Sequence, residues 1–400
     1  MKRCVTVLAT VVCGAAVSCG MVSPLALGQA PAAPVSFEAA VATLRRVDHE
    51  GRGHAEATAA WPVVAGAGSA ALPQLLAAMD GANPLAVNWL RAAVDAVIDD
   101  GTPLPAAPLE AFLADTTHDP RPRRLAYDLL KGADAARAAV LLEGMLDDPS
   151  VELRRDAVAA LVARSEALAT GGQAAEATMA LRRAFTAARD PGQIQAIAKS
   201  LEKGGETVDL PRHFGFLMEW KVVGPFDNPA GKGYETVYPP EDRADPTAAL
   251  EGKFGTVEWR PVSTTDPLGL VDINRVYPPP APADTATPAA ADAPKEGLKE
   301  VVAYARAEFD APRAEDVELR LGTKNAWKVW VNGTLVFGRD EYHRGMEVDQ
   351  YRLPVHLQQG RNTILVKLCQ DDQRKPWTTE WEFQLRVCDR VGTAVLAAGR

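Results

Sequence analysis

The sequence predicts a multidomain α + β chain, with an all-α N-terminal half and an all-β antiparallel sandwich in the C-terminal half. Up to about residue 205 the segments are rich in alanine and leucine with apolar residues at helical spacing, and beyond residue 219 they alternate apolar with polar. Between the two patterns stands Gly204-Gly205, a glycine pair suited to ending a helix, followed by Leu210-Pro211, which opens an extended segment. At 400 residues the chain exceeds one comfortable core, so two domains are expected, residues 31–205 and 206–400.

Residues 1–30 read as addressing information. Lys2-Arg3 supplies a positive start, Cys4 to Ser18 is an apolar run of signal-peptide length, and Ala26-Leu27-Gly28 before Gln29 places small residues at −3 and −1 for cleavage. In a second reading, Ala16-Val17-Ser18-Cys19 resembles a bacterial lipobox, although Ala16 stands where leucine is usual; that resemblance implies acylation of Cys19 and a lipid anchor. Both readings export the protein to the periplasm, the cell surface or the medium. No later stretch approaches the ~20 consecutive apolar residues of a membrane span.

In the helical half four turns recur: Asn83-Pro84, Asp119-Pro120, Asp148-Pro149 and Asp190-Pro191. Asp or Asn is a natural N-cap, and proline is tolerated in the first turn because its missing N–H would have no partner there. Each turn therefore starts a helix. After Asp148-Pro149, Val151, Ala157, Val158 and Leu161 are expected to face a neighbour, with Glu152 and Arg155 in water. The Asp-Pro turn and the order of valine, arginine and alanine behind it resemble a HEAT-type repeat. The turns lie 36, 29 and 42 residues apart, an irregular period that suggests a short solenoid of about four helix pairs. That resemblance implies a surface for protein partners, or else a compact spacer beneath the sandwich.

In the C-terminal half the centre is Trp327 to Phe337, where Asn332-Gly333 between two β-branched and aromatic runs predicts a hairpin with a type I′ turn. Asn332-Gly333-Thr334 also matches a glycosylation acceptor, but the turn explains the pair. Ala303–Phe309, Val317–Leu321, Tyr351–Leu357 and Asn362–Leu368 alternate like successive antiparallel strands, with Trp220–Phe226 before them and Thr256–Arg260 as a further strand. Trp220 to Phe226, Lys328-Val-Trp-Val-Asn-Gly333 and Gly360-Arg361-Asn362 resemble the galactose-binding-like jelly-roll modules of secreted bacterial proteins, over roughly Glu219 to Asp389. The likeness implies a fold more than a ligand, because such sandwiches serve carbohydrate binding, protein contacts and structural packing alike. Within it, residues 278–297 lack aromatic and large aliphatic residues and read as an inserted mobile loop.

Composition excludes some functions. A formal charge of −9 and the absence of a basic stripe speak against a nucleic-acid partner. No two of His49, His54, His118, His213, His343 and His356 have zinc-motif spacing, and no nucleophile elbow, P-loop or dinucleotide fingerprint occurs, so no metal, cofactor or catalytic residue is assigned. Of five cysteines only Cys369 and Cys388 lie beyond the leader. The even pair is compatible with one disulfide; both sit at polar parity, pointing away from the inner face, and strands on opposite sheets would set the sulfurs too far apart to join.

Six of the eight tryptophans fall in the sandwich half. Trp220 and Trp330 are assigned to the core and Trp327 to capping the sheet end, whereas Trp377 lies in the loop between the last two strands, where exposing an indole is costly. Sugar-binding members of the resembled fold meet ligand at the loops of one sandwich end. By role, the residues here are Trp377 as platform, Arg374 and Asp372 beside it, and Tyr342, His343 and Arg344 from the neighbouring loop. The expected function is an exported, non-catalytic binding or scaffold protein with an extracellular glycan as partner. The alternative is an accessory glycosidase built on a carboxylate pair such as Glu308 and Asp340.

Overall fold

In the computed structural model, residues 35–98, 103–242, 249–278 and 297–399 are described. The leader, with Cys19, and nearly all of the 278–297 insertion lie outside them. Up to Lys203 the described chain is helical: α1 Phe37–Leu44, α2 His54–Ala65, α3 Leu72–Ala77, α4 Pro84–Ile98, α5 Ala106–Ala114, α6 Pro120–Ala133, α7 Ala135–Leu142, α8 Val151–Thr170, α9 Ala174–Ala187 and α10 Pro191–Lys203. Successive helices pack in pairs, and α2 meets α4, α6 meets α8, and α8 meets α10, so the pairs stack in layers. In α4 the buried residues Leu90, Ala93, Val94 and Val97 form the i, i+3, i+4, i+7 stripe that locks it to its neighbours.

The turns that start helices also tie the layers together. Asn83 Oδ1 caps α4 by accepting from the amides of Leu85 and Ala86, while its Nδ2 donates to the Val47 carbonyl 36 residues back. Asp119 makes no side-chain cap for α6, and its carboxylate instead accepts from Gly81 N. Asp190 caps α10, and its carboxylate lies 3.5 Å from Arg155. The third turn departs from expectation. Helix α8 begins at Val151 with Ser150 as N-cap, because the Asp148 carboxylate is buried in a two-point pair with the guanidinium of Arg123, at 2.7 and 2.6 Å. Ala157 and Val158 are buried and Glu152 and Arg155 exposed, as expected, but Val151 is exposed and Leu153 takes the inward place.

Helix α10 ends at Gly204, and Gly205 adopts φ 86°, the left-handed conformation for which glycine is suited. Leu210-Pro211 opens not an extended segment but a short helix, α11 Leu210–Phe214, because Asp209 caps it by accepting from Arg212 N and proline suits its first turn. Twelve strands follow among the described residues: β1 Glu219–Asp227, β2 Leu250–Gly252, β3 Gly255–Val257, β4 Arg260–Ser263, β5 Val271–Asp272, β6 Val301–Ala311, β7 Glu315–Thr323, β8 Ala326–Val331, β9 Thr334–Arg339, β10 Tyr351–Leu357, β11 Gly360–Gln370 and β12 Glu382–Cys388. Six form an antiparallel sheet in the order β4-β1-β6-β11-β8-β9, and four form a second in the order β10-β7-β12-β5. Asn332 and Gly333, at φ 51° and 80°, make the β8–β9 turn the sequence predicts. The Thr256–Arg260 segment is split between β3 and β4.

The sheets share one apolar core. From β6 it takes Ala303, Ala305 and Ala307, and these small residues leave room for the fully buried indoles of Trp327 and Trp381. Trp327 is therefore a core residue rather than a cap on the sheet end; alternation turns it inward against Tyr351 of the opposite sheet, with ring centroids 4.8 Å apart. Trp220 is core as expected, whereas Trp330 is buried on the outer face of the six-stranded sheet. Cys369 and Cys388 are free and buried on opposite sheets, so no disulfide forms.

The two halves are joined by more than the chain. Leu217 N donates to Leu385 O and Val387 N to Gly215 O, so the connection pairs with β12 before crossing to β1. Phe214 and Phe216 belong to the helical core, and Arg189 at the end of α9 donates to Thr393 Oγ1 in the C-terminal tail.

Candidate functional site

Three loops meet at one end of the sandwich: 228–234 after β1, 339–345 after β9, and 371–380 between β11 and β12. The two loops singled out in the sequence are tied directly, for His343 Nε2 lies 2.8 Å from Asp371 Oδ1 with both side chains about nine-tenths buried. The linking carboxylate is Asp371, whereas Asp372 is exposed.

Beneath this pair is a buried amide layer. Gln370 donates through Nε2 to the Thr378 carbonyl at 3.0 Å, and its Oε1 accepts from Asn325 Nδ2 at 3.3 Å. Asn325 Oδ1 in turn accepts from Glu382 N, and Asn228 Nδ2 donates to Gln370 O and to the Tyr342 hydroxyl. The hydroxyl of Thr378 donates to Gln373 O and accepts from Lys375 N, closing the tip of the 371–380 loop on itself. Buried amides bonded across loops in this way hold them in one conformation. Burial pushes the Tyr342 phenol above its usual range and draws the Lys299 amine, which donates to the Thr378 carbonyl, below its own.

The six predicted residues divide accordingly. Tyr342 and His343 belong to the supporting layer. Asp372, Arg374 and Trp377 project from the braced loop, Trp377 with 65% of its surface exposed, the opposite of what burial preference gives an indole. Arg344 is also exposed, with Nε 3.5 Å from Glu341. The sequence reading missed Asp371, Gln370, Asn325 and Asn228, because polar residues at strand ends look like solvated loop residues until their burial is known.

The named carboxylate pair is not brought together. Glu308 on β6 is opposite Thr363 of β11, whereas Asp340 follows Arg339, whose partner Trp327 is level with Leu368. Five residues of strand, roughly 17 Å, separate those levels. A glycosidase pair needs no more than about 10 Å.

No protein-family model and no curated protein matches the chain. Solved structures resemble parts of it. A β-glucosidase from Kluyveromyces marxianus shares 12% identity over 22% of this chain and 11% of its own, with a TM-score of 0.19. A family 35 carbohydrate binding module from Clostridium thermocellum shares 17% over 22% and 71%, at 0.17, and the GH31 α-xylosidase from Xanthomonas citri 11% over 44% and 18%, at 0.22. This chain thus spans about a tenth of the β-glucosidase. At such scores the likenesses carry no weight for the site, and the reading of function rests on geometry.

Proposed function

We propose that the chain is an exported, non-catalytic carbohydrate-binding protein, in which a HEAT-like helical stack offers protein contacts and a galactose-binding-like jelly roll presents a glycan platform at one end. The observation that supports this is the exposed Trp377 indole on a loop whose base is fixed by the His343–Asp371 pair and the Gln370–Asn325–Thr378 hydrogen bonds. A flat aromatic face stacks on the C–H surface of a sugar ring, and a rigid support lowers the entropic cost of doing so. Arg374 and Asp372 on the same loop supply a donor fork and an acceptor for ring hydroxyls.

The test is a glycan array with residues 31–400 beside the Trp377→Ala variant. Binding that is lost in the variant while its melting temperature is kept supports the platform. Binding that is indifferent to Trp377, or silence on every glycan, refutes it.

A further inference from the structure

Among the described residues, the outer face of the six-stranded sheet is only half covered. Over one half lies the segment Pro229–Asp242 with the β2–β3 ribbon, whose Tyr234, Tyr238, Leu250 and Val257 pack on Val223, Tyr304 and Cys369. A buried ion pair pins this cover to the sheet: Lys367 Nζ stands 2.8 Å from Glu241 Oε1 and also donates to the carbonyls of Tyr234 and Thr236, and the Tyr304 hydroxyl donates to the same carboxylate. One pleat further along, the register sets Lys221, Arg306, Leu365, Trp330 and Leu335 side by side across five strands, all outward. This row is where the described part of the cover stops.

Its edge makes a groove of about 390 Å³, lined by Glu241 and Asp242 from the cover, Trp259 before β4, and Arg306, Trp330 and Leu365 from the sheet. That volume lies within the range of small-ligand sites. Two indoles on different elements flank it, and Leu335, 51% exposed beside Trp330, continues the apolar strip.

We infer that this groove is a second saccharide-binding site, seating a short oligosaccharide against Trp259, with the largely buried Trp330 forming part of the groove wall. The groove alternates aromatic surface with fixed polar groups: an acid held in place by Lys367, the exposed carboxylate of Asp242, and the Arg306 guanidinium, which lies 3.7 Å from Glu308. That mixture suits a ligand with apolar ring faces and equatorial hydroxyls. The carboxylates at the rim and the chain's formal charge of −9 disfavour a nucleic acid. Leu365 stands five residues from Gln370 along β11, roughly 17 Å from the loop end, so this site uses different residues and does not depend on the Trp377 platform.

The test uses residues 31–400 labelled with 5-fluorotryptophan, titrated with tetra- to hexasaccharides of glucose, galactose, mannose, xylose and uronic acids. The parent and the Trp377→Ala, Trp259→Ala and Trp330→Phe variants assign the fluorine resonances. The inference expects at least one saccharide to shift the Trp259 resonance in the Trp377→Ala protein. It also expects Trp259→Ala to weaken binding of that saccharide at least tenfold with melting unchanged, and Trp330→Phe, which keeps an aromatic ring in the packed position, to weaken it severalfold. Shifts confined to Trp377, or a Trp259 resonance that no saccharide moves, overturn it. Loss of the platform alone appears as Trp259-dependent binding that survives Trp377→Ala.

Discussion

The guanidinium of Arg386 on β12 meets the carboxylate of Asp349 in a two-point pair, Nε to Oδ1 and Nη2 to Oδ2, both at 2.6 Å. Asp349 also accepts from Arg320 Nη1 at 2.6 Å, and Arg386 Nη1 donates to the carbonyls of Phe214 and Gly392. One buried arginine thus holds the 346–350 loop, the C-terminal tail and the end of α11 on the outer face of the four-stranded sheet. Phe214 is also part of the helical core, so the pair serves as the fastening between the two halves.

Removing Asp349 leaves the buried Arg386 without a counter-charge, and removing Arg386 leaves the buried Asp349 with Arg320 alone. Asp349→Ala or Arg386→Ala is expected to cost about 3–5 kcal/mol in urea unfolding at pH 7, and Arg386→Met with Asp349→Leu less than the sum of the single losses. Burial alone would raise the Asp349 carboxyl, but the hydrogen bonds and charges of Arg386 and Arg320 hold it below the ordinary carboxylate range. Its contribution is therefore present above the unfolded value near 4 and lost as pH falls below it. Single variants as stable as the parent at pH 7 would show that the pair is not the fastening.

A second pH dependence belongs to His213, which stacks on Phe185 at 4.1 Å between α9 and α11. Burial first, and then the charge of Arg189, push its imidazole down to about 4. Because the unfolded chain takes up the proton near 6.5, the stabilisation is complete above that pH and is lost as pH falls from 6.5 toward 4. At roughly 1.4 kcal/mol per pH unit the loss reaches about 3 kcal/mol. Urea midpoints between pH 7 and 4 are expected to fall more steeply for the parent than for His213→Phe; parallel curves would exclude His213 as the cause.

The two thiols give a test of packing. Burial pushes Cys369 up to about 12 and Cys388 up to about 11, and neither is paired. A thiol reagent at pH 8 is expected to label neither in native residues 31–400 and both in denaturant. Rapid native labelling of Cys369 would mean that the Pro229–Asp242 cover opens on that timescale.

Much of the architecture was legible locally. The Asn332-Gly333 turn, the alternation of β6, β7, β10 and β11, the glycine stop after α10 and the proline-marked starts of α4, α6 and α10 are dictated by backbone conformation and side-chain period. The projecting part of the candidate site, Asp372, Arg374 and Trp377, was legible for the same reason, since a strand-to-strand loop announces itself. The supporting layer was not. Asp148 reads as a helix cap, but Arg123, 25 residues away, claims its carboxylate, and Ser150 caps instead.

What the sequence by itself determined is where most of the strands and helices form and which face of most of them turns inward, because those follow from periods of two and of 3.6 along the chain. What only the tertiary structure decided is the fate of the outward-facing residues. Lys367 and Arg386 occupy polar positions of their strands, as solvated residues would, yet both are buried, the first by a segment 126 to 133 residues away in sequence and the second by the junction with the helices. The same partial covering that hides Lys367 leaves Trp330 and Arg306 at the edge of a groove. Covering a sheet face depends on contacts between distant segments, and periodicity holds no record of those.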